Sequence, residues 1–312
     1  MGLDLGWAQY AATVVLNLAL AVAVGAGASA LSIARGRSPW AARQARGARR
    51  AGIGALCVAM GASLGVLWLE AAAMAEVPVA QAGAAAWSML TATHLGVAWN
   101  IGIGALAVSL AALLLAAHAK KATLPMALSL SSLAAFLYTR SMVSHASADG
   151  DVSWPMLADW LHLMLICLWV GEVLVSGLLI LAAPPAARAG DRLDCAAYVE
   201  SLSASATFAL AGIVATGLLE AWHNLGGPGA LAGNPYGTLL LGKLALVGAA
   251  AMLGAFNRFM VMPRLLAALS SGDAAARVAA CQFTTVLRLE SGALLAVLIL
   301  AALLSSTAPM AG

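Results

Sequence analysis

The sequence predicts an all-α fold: a polytopic membrane bundle of about eight transmembrane helices, one integral domain over 1–312, with both chain ends on the periplasmic side. Three observations predict it. The chain is 62% hydrophobic and 9% charged, far below the roughly 25% charge of a soluble domain. Its apolar runs approach or exceed the roughly 20 residues that cross about 30 Å of hydrocarbon as a helix. Its basic residues alternate between connections, as the positive-inside rule requires.

The apolar runs, cut where polar residues, Gly or Pro end a helix, give spans at about 11–34, 51–75, 86–117, 124–146, 155–183, 199–223, 238–260 and 284–307. The opening MGLDLGWAQY has Asp4 and no Lys or Arg, unlike the positive start of a secretory signal, so 11–33 reads as a retained first span. All of the 16 basic residues except Arg140 and Lys243 follow spans one, three, five and seven. Those connections are therefore cytoplasmic. Arg140 and Lys243 lie inside spans four and seven near their outer ends, where each either snorkels to water or pairs with a buried acid. The formal charge of only +3, explained by topology, excludes nucleic acid as a partner and leaves membrane lipid as the surroundings. Cys57, Cys167, Cys195 and Cys281 show no CxxC spacing, which argues against a disulfide framework or a thiolate metal site.

With this orientation, four of the five histidines fall toward the outer face. His94 lies about two turns into span three, His145 ends span four, His162 lies about two turns into span five, and His223 closes span six. His118 is a cytoplasmic loop residue. Asp159 precedes His162 in DWLH and Glu220 precedes His223 in EAWH, each by three residues. That spacing puts each pair on one helix face, suited to holding one ion or to orienting the imidazole by a hydrogen bond. Met142 stands one turn before His145 and Met156 one turn before Asp159, with Met89 and Met164 near His94 and His162. Imidazole with thioether favours copper, the thioether selecting the cuprous state, although Cu(II) is open as well. A lone membrane histidine more often serves packing; convergence of four on one face is what points to metal. Asp149 and Asp151 read as solvating the turn at Gly150. Glu172 lies ten residues past His162, about 15 Å deeper at the helical rise, as a lower station on a path or a partner for an arginine. Glu290 reads as an ion pair with Arg288 at the inner surface.

Three functions fit these residues. The first is a copper transporter, not an enzyme, with an outward site of His94, His145, His162, Asp159 and Met142, extended by Glu220 and His223. The second is a b-type cytochrome, its haem iron held by histidines of separate helices. The third is a dinuclear carboxylate enzyme built from DWLH and EAWH, for which Glu70 and Glu76 are the remaining acids. The chain has no GxxxxGK[ST] loop and no phosphorylatable aspartate motif, so ion movement is expected to be passive or ion-coupled.

The order of several pieces resembles the CopD copper-resistance and copper-import family of bacterial inner-membrane proteins: SHA ending span four, DWLHLMLICLWVGE, NPYGTLLLGKLALVGAAAMLGAFNRFMVMPRL, and VLRLESGALLAVLILAALLSSTAP. The resemblance covers about 138–309, with THLGVAW the main echo further upstream. It implies multi-pass placement in the cell inner membrane, copper as cargo, a separate periplasmic CopC-like partner, and roles for His145, Asp159, His162, Trp169, Gly171, Tyr236, Gly237, Lys243, Asn257 and Arg258. Two positions depart from the family pattern. Ser144 stands where Gly precedes His-Ala, and Glu172 stands where a second Gly follows Gly171.

Overall fold

A computed structural model describes residues 2–119, 121–148, 150–182, 188–224, 235–272 and 275–306. The described residues form helices and no strand. In chain order these are α1 (Gly2–Ile33), α2 (Pro39–Met74), α3 (Gly83–Ala92), α4 (His94–His118), α5 (Thr123–Ser141), α6 (Trp154–Val175), α7 (Ala189–Asn224), α8 (Pro235–Phe256), α9 (Met262–Ser271) and α10 (Ala275–Ser306). Single π-helical turns extend α6 over Ser176–Ile180 and α8 over Asn257–Val261. Among the described residues, seven helices are long and apolar enough to cross a membrane. The eighth expected span is α5, which has 19 residues; Ser129, Ser131, Ser132 and Arg140 lower its hydropathy.

Helices α1 and α6 are the most buried of the long helices, and α6 joins α1 to α7. Two glycines permit their crossing. A Cβ on Gly171 would overlap the Ala21 carbonyl oxygen, and one on Gly25 would overlap the backbone of Gly171 and Glu172. Small residues let membrane helices approach this closely, where packing rather than water exclusion drives association.

Three expectations change. The single span over 86–117 is broken at Thr93, which is extended (ψ 157°) and caps α4 by accepting from Gly96 N at 3.0 Å. Its hydroxyl also reaches Met89 O at 2.7 Å, and Gly96 lets α4 abut α3, since a Cβ there would overlap Met89 O. The basic stretch after α1 is helical rather than a loop. Ser38 caps α2 by accepting from Ala41 N at 3.1 Å, with Pro39 opening the helix. The segment read as the last cytoplasmic loop contains α9, which buries Leu265 and Leu269 and stops at left-handed Gly272 (φ 71°).

Helices α2, α7 and α10 start well before their apolar runs. On α7, Asp191 and Asp194 accept from Trp40 N (3.0 Å) and Ser38 N (2.7 Å). Trp40 is buried beside Tyr198, their rings 6.3 Å apart. These contacts fix α2 to α7 on the arginine-rich side.

Candidate functional site

The start of α6 sets the outer site. Ser153 caps it by accepting from Met156 N, and Pro155 fits the first turn. Asp159 and His162 therefore lie in its second and third turns, about 12 Å from Trp154 to His162 at 1.5 Å per residue. Helix α7 packs against α6 and brings Thr216 to His162. His162 is 8% exposed, and its Nδ1 lies 2.8 Å from Thr216 Oγ1. Thr216 Oγ1 also lies 2.7 Å from Gly212 O; with its one proton given to that carbonyl, Oγ1 accepts and His162 Nδ1 donates. In that arrangement a neutral ring carries its lone pair on Nε2. That tautomer is the one a metal-binding histidine uses when its other nitrogen is held. Gly217 leaves room for the ring: a Cβ there would be 3.4 Å from His162 Cε1.

The charged group that acts on this imidazole is Lys243, which belongs to a set of charges of both signs. Asp159 is within electrostatic reach of Arg140, Glu220 and Lys243; Arg140 also senses Glu70, and Lys243 senses Glu220 and His162. Five helices thus contribute Glu70 (α2), Arg140 (α5), Asp159 (α6), Glu220 (α7) and Lys243 (α8). Arg140 and Lys243 thus lie within electrostatic reach of acids, although among the described residues neither makes an ion pair within 4 Å. Ser144, which departs from the family pattern, contacts Asp159 Oδ2 at 3.2 Å.

The other sequence-predicted residues are distributed differently. His94 opens α4 instead of lying two turns inside a span, because of the break at Thr93. Its Nε2 meets Asp151 Oδ2 at 2.8 Å, with the two side chains 56% and 41% exposed. Asp151 is thus more than a solvated turn residue; Tyr138 also donates to its backbone oxygen at 2.6 Å. Met142 ends α5, half-buried, while Met156 is fully buried. His145 lies in the short turn His145–Ser147, and His223 in the last turn of α7; the side chains of both lie outside the described residues, as does Asp149. Among the described residues, no three His, Cys, Asp or Glu side chains group closely enough to hold a metal ion.

Deeper in the bundle is a site the sequence reading missed. Trp169 Nε1 donates to Glu290 Oε1 at 3.1 Å, and both face a cavity of about 190 Å³ between α6, α7, α8 and α10. The expected Arg288–Glu290 pair does not form: Arg288 Nε donates to Gly177 O at 3.1 Å. Two residues apart on a helix point to nearly opposite sides. Glu172 is 5% exposed, with Ser205 as its polar neighbour and Oε2 without a hydrogen-bond partner among the described residues. Among the described residues no arginine pairs with it. Hydroxyls continue inward from it, with Tyr198 Oη to Ser176 (2.6 Å) and Ser29 (3.0 Å), then Ser32 to Ser201 (2.8 Å).

The family model for copper resistance protein D matches residues 196–304, and that for the copper resistance protein D-like N-terminal domain matches residues 3–154. The chain belongs to the copper resistance protein D family. A relative, copper resistance protein D of Pseudomonas syringae pv. tomato, is 29% identical over 252 residues, 78% of this chain and 74% of that protein. No solved structure matches. The copper resistance protein D resemblance thus extends through the first three spans, including α4 with His94. Family membership and the long apolar helices make this a multi-pass membrane protein.

Proposed function

We propose that the chain handles copper in the bacterial inner membrane as a transporter, not an enzyme: it receives a copper ion on the periplasmic side and passes it inward. The observation that carries this reading is the buried His162, its Nδ1 held by Thr216, one turn beyond Asp159 on α6. A neutral imidazole replaces hydration without adding charge, and the acids offset the cation in low dielectric. His162 is the anchor ligand. His145 and Met142, at the connection leading to α6, add imidazole and thioether, a donor set that suits Cu(I). His94 with Asp151 forms the mouth, and His223 closes α7 on the same side. The family's connection with copper resistance supports copper as the cargo. A separate CopC-like periplasmic protein would deliver the ion at the mouth.

The test is copper content and copper uptake by reconstituted wild type and by His94→Ala, His145→Ala and His162→Ala. His162→Ala is expected to lose both, with smaller losses for the other two. Stoichiometric copper and unchanged uptake in all three would sink the proposal. An optical spectrum of the same samples checks the cytochrome reading, since a reduced-state Soret band with α and β bands would replace copper by haem.

A further inference from the structure

The cavity beside Glu290 lies seven residues deeper along α6 than His162, about 10 Å at 1.5 Å per residue. Its polar lining is Trp169, Ser203, Thr207, Asn257, Arg258 and Glu290, and its remaining wall is apolar. At about 190 Å³ it has room for several water molecules beside its polar groups, each needing roughly 10 to 15 Å³ of such space.

Glu290 is 2% exposed and has one hydrogen-bond donor, Trp169. Gly254 leaves space for its carboxyl group, since a Cβ there would be 3.2 Å from Oε1. Neither nearby cation neutralises it. Arg288 is turned to Gly177 O, and Arg258 gives Nη1 to Ser203 O, Ser203 Oγ and Thr207 Oγ1 at 2.7 to 2.9 Å. Asn257 is 3% exposed; its Nδ2 donates to Phe283 O, while its buried Oδ1 has no partner. Among the described residues lining the cavity from its four helices, Glu290 and Arg258 are the titratable groups.

Every acceptor here is oxygen, with no thioether, thiol or imidazole in the lining. Soft cuprous ion prefers sulfur and imidazole, so this cavity is a poor copper stop. An ionised carboxylate at this depth without a cation in contact is costly. A proton neutralises it, and water in the cavity can bring and remove that proton.

We propose that Glu290 takes up and releases a proton through this cavity, and that the exchange couples proton movement to passage of the copper ion held further out. The inference rests on the transport reading. The step is a proton transfer between water and one carboxylate oxygen, with no change of oxidation state.

The test uses the full-length protein in liposomes that enclose a pH-sensitive dye, with Cu(I) supplied outside on a weak chelator. Wild type is expected to show a change of internal pH that accompanies copper uptake. Glu290→Gln is expected to keep copper binding and lose the copper-dependent pH change. Copper uptake by wild type without any pH change overturns the coupling alone. Absence of copper uptake overturns the transport reading and the coupling with it. A Glu290→Gln protein whose pH signal equals that of wild type also overturns the proposal. Should that variant fail to fold, wild type treated with dicyclohexylcarbodiimide decides: modification of Glu290 that abolishes the pH signal supports the proposal, and an intact signal after modification, or no modification of Glu290, overturns it.

Discussion

A neutral imidazole offers one lone pair, and Thr216 decides which nitrogen of His162 carries it. Replacing Thr216 with Val keeps the shape and removes the acceptor for Nδ1–H, so the ring is free to adopt the other tautomer. Loss of such an outer hydrogen bond typically costs 10- to 100-fold in metal affinity, and Thr216→Val is expected to weaken Cu(I) binding by about that factor with the helical content unchanged. Competition with a chromophoric Cu(I) chelator measures it; an affinity equal to wild type would remove Thr216 from the site. By contrast, the His94–Asp151 pair is exposed, and exposed pairs contribute only about 0 to 1 kcal/mol. Asp151→Asn should therefore shift unfolding in mixed micelles by less than about 1 kcal/mol. His162 and Asp159 were legible in the sequence because a histidine and an acid at i and i+3 stand out in an apolar run. Thr216 was not, since a threonine in a span reads as ordinary helix packing and its meeting with His162 depends on how α7 lies on α6. Glu290 was misread for a related reason: nearness to Arg288 in sequence suggested a pair, whereas the helix turns the two apart, toward Trp169 and Gly177.

At the scale of elements, the crossing of α1 and α6 holds the outer and deeper sites in register, because α6 carries His162, Trp169 and Glu172 together. Gly171→Ala places a methyl group against the Ala21 carbonyl. Overpacking of a tight core typically costs 1 to 3 kcal/mol and occasionally more. Backbone, unlike a side chain, cannot swing aside, so the expected loss is at the upper end, about 3 kcal/mol. Gly61→Ala, at a glycine with open space, is the control and should not destabilise the protein. Thermal unfolding of both variants in the same detergent makes the comparison; equal midpoints would show that the crossing tolerates a Cβ. Glycines of this kind are abundant in the sequence, and which ones face a partner backbone follows only from packing. The break at Thr93 was more legible in principle. A threonine cap three residues before Gly96 is a helix-start signal, but the apolar residues on both sides hid it. The same holds for α9, which Pro263 opens and Gly272 closes, and whose polar residues suggested a loop.

For the whole molecule, the number of crossings decides which side the sites face. Among the described residues seven helices satisfy length and hydropathy for a span, and seven crossings would put the two ends of the chain on opposite sides. With α5 as an eighth crossing, both ends share a side, and α4 and α6 run in the same direction, so that His94, Asp159 and His162 lie toward one face. The packing of α5 along α4 and its contact with α6 favour the crossing, as does Ser109 of α4 bonding Ser129 of α5 inside the bundle at 2.8 Å. Polar serines lower the hydropathy of α5, yet they are satisfied between helices, where side-chain hydrogen bonds stabilise membrane packing. Basic residues concentrate at the opposite end from His162, as the positive-inside rule requires for a periplasm-facing site. A reporter fused after residue 312 should therefore give active alkaline phosphatase and dark green fluorescent protein in a Gram-negative host. A second fusion, after Lys121 between α4 and α5, should give the reverse. If the fusion after residue 312 is instead cytoplasmic while that after Lys121 is unchanged, α5 or another helix does not cross, and the site on α6 must be reassigned to a different face or a different depth.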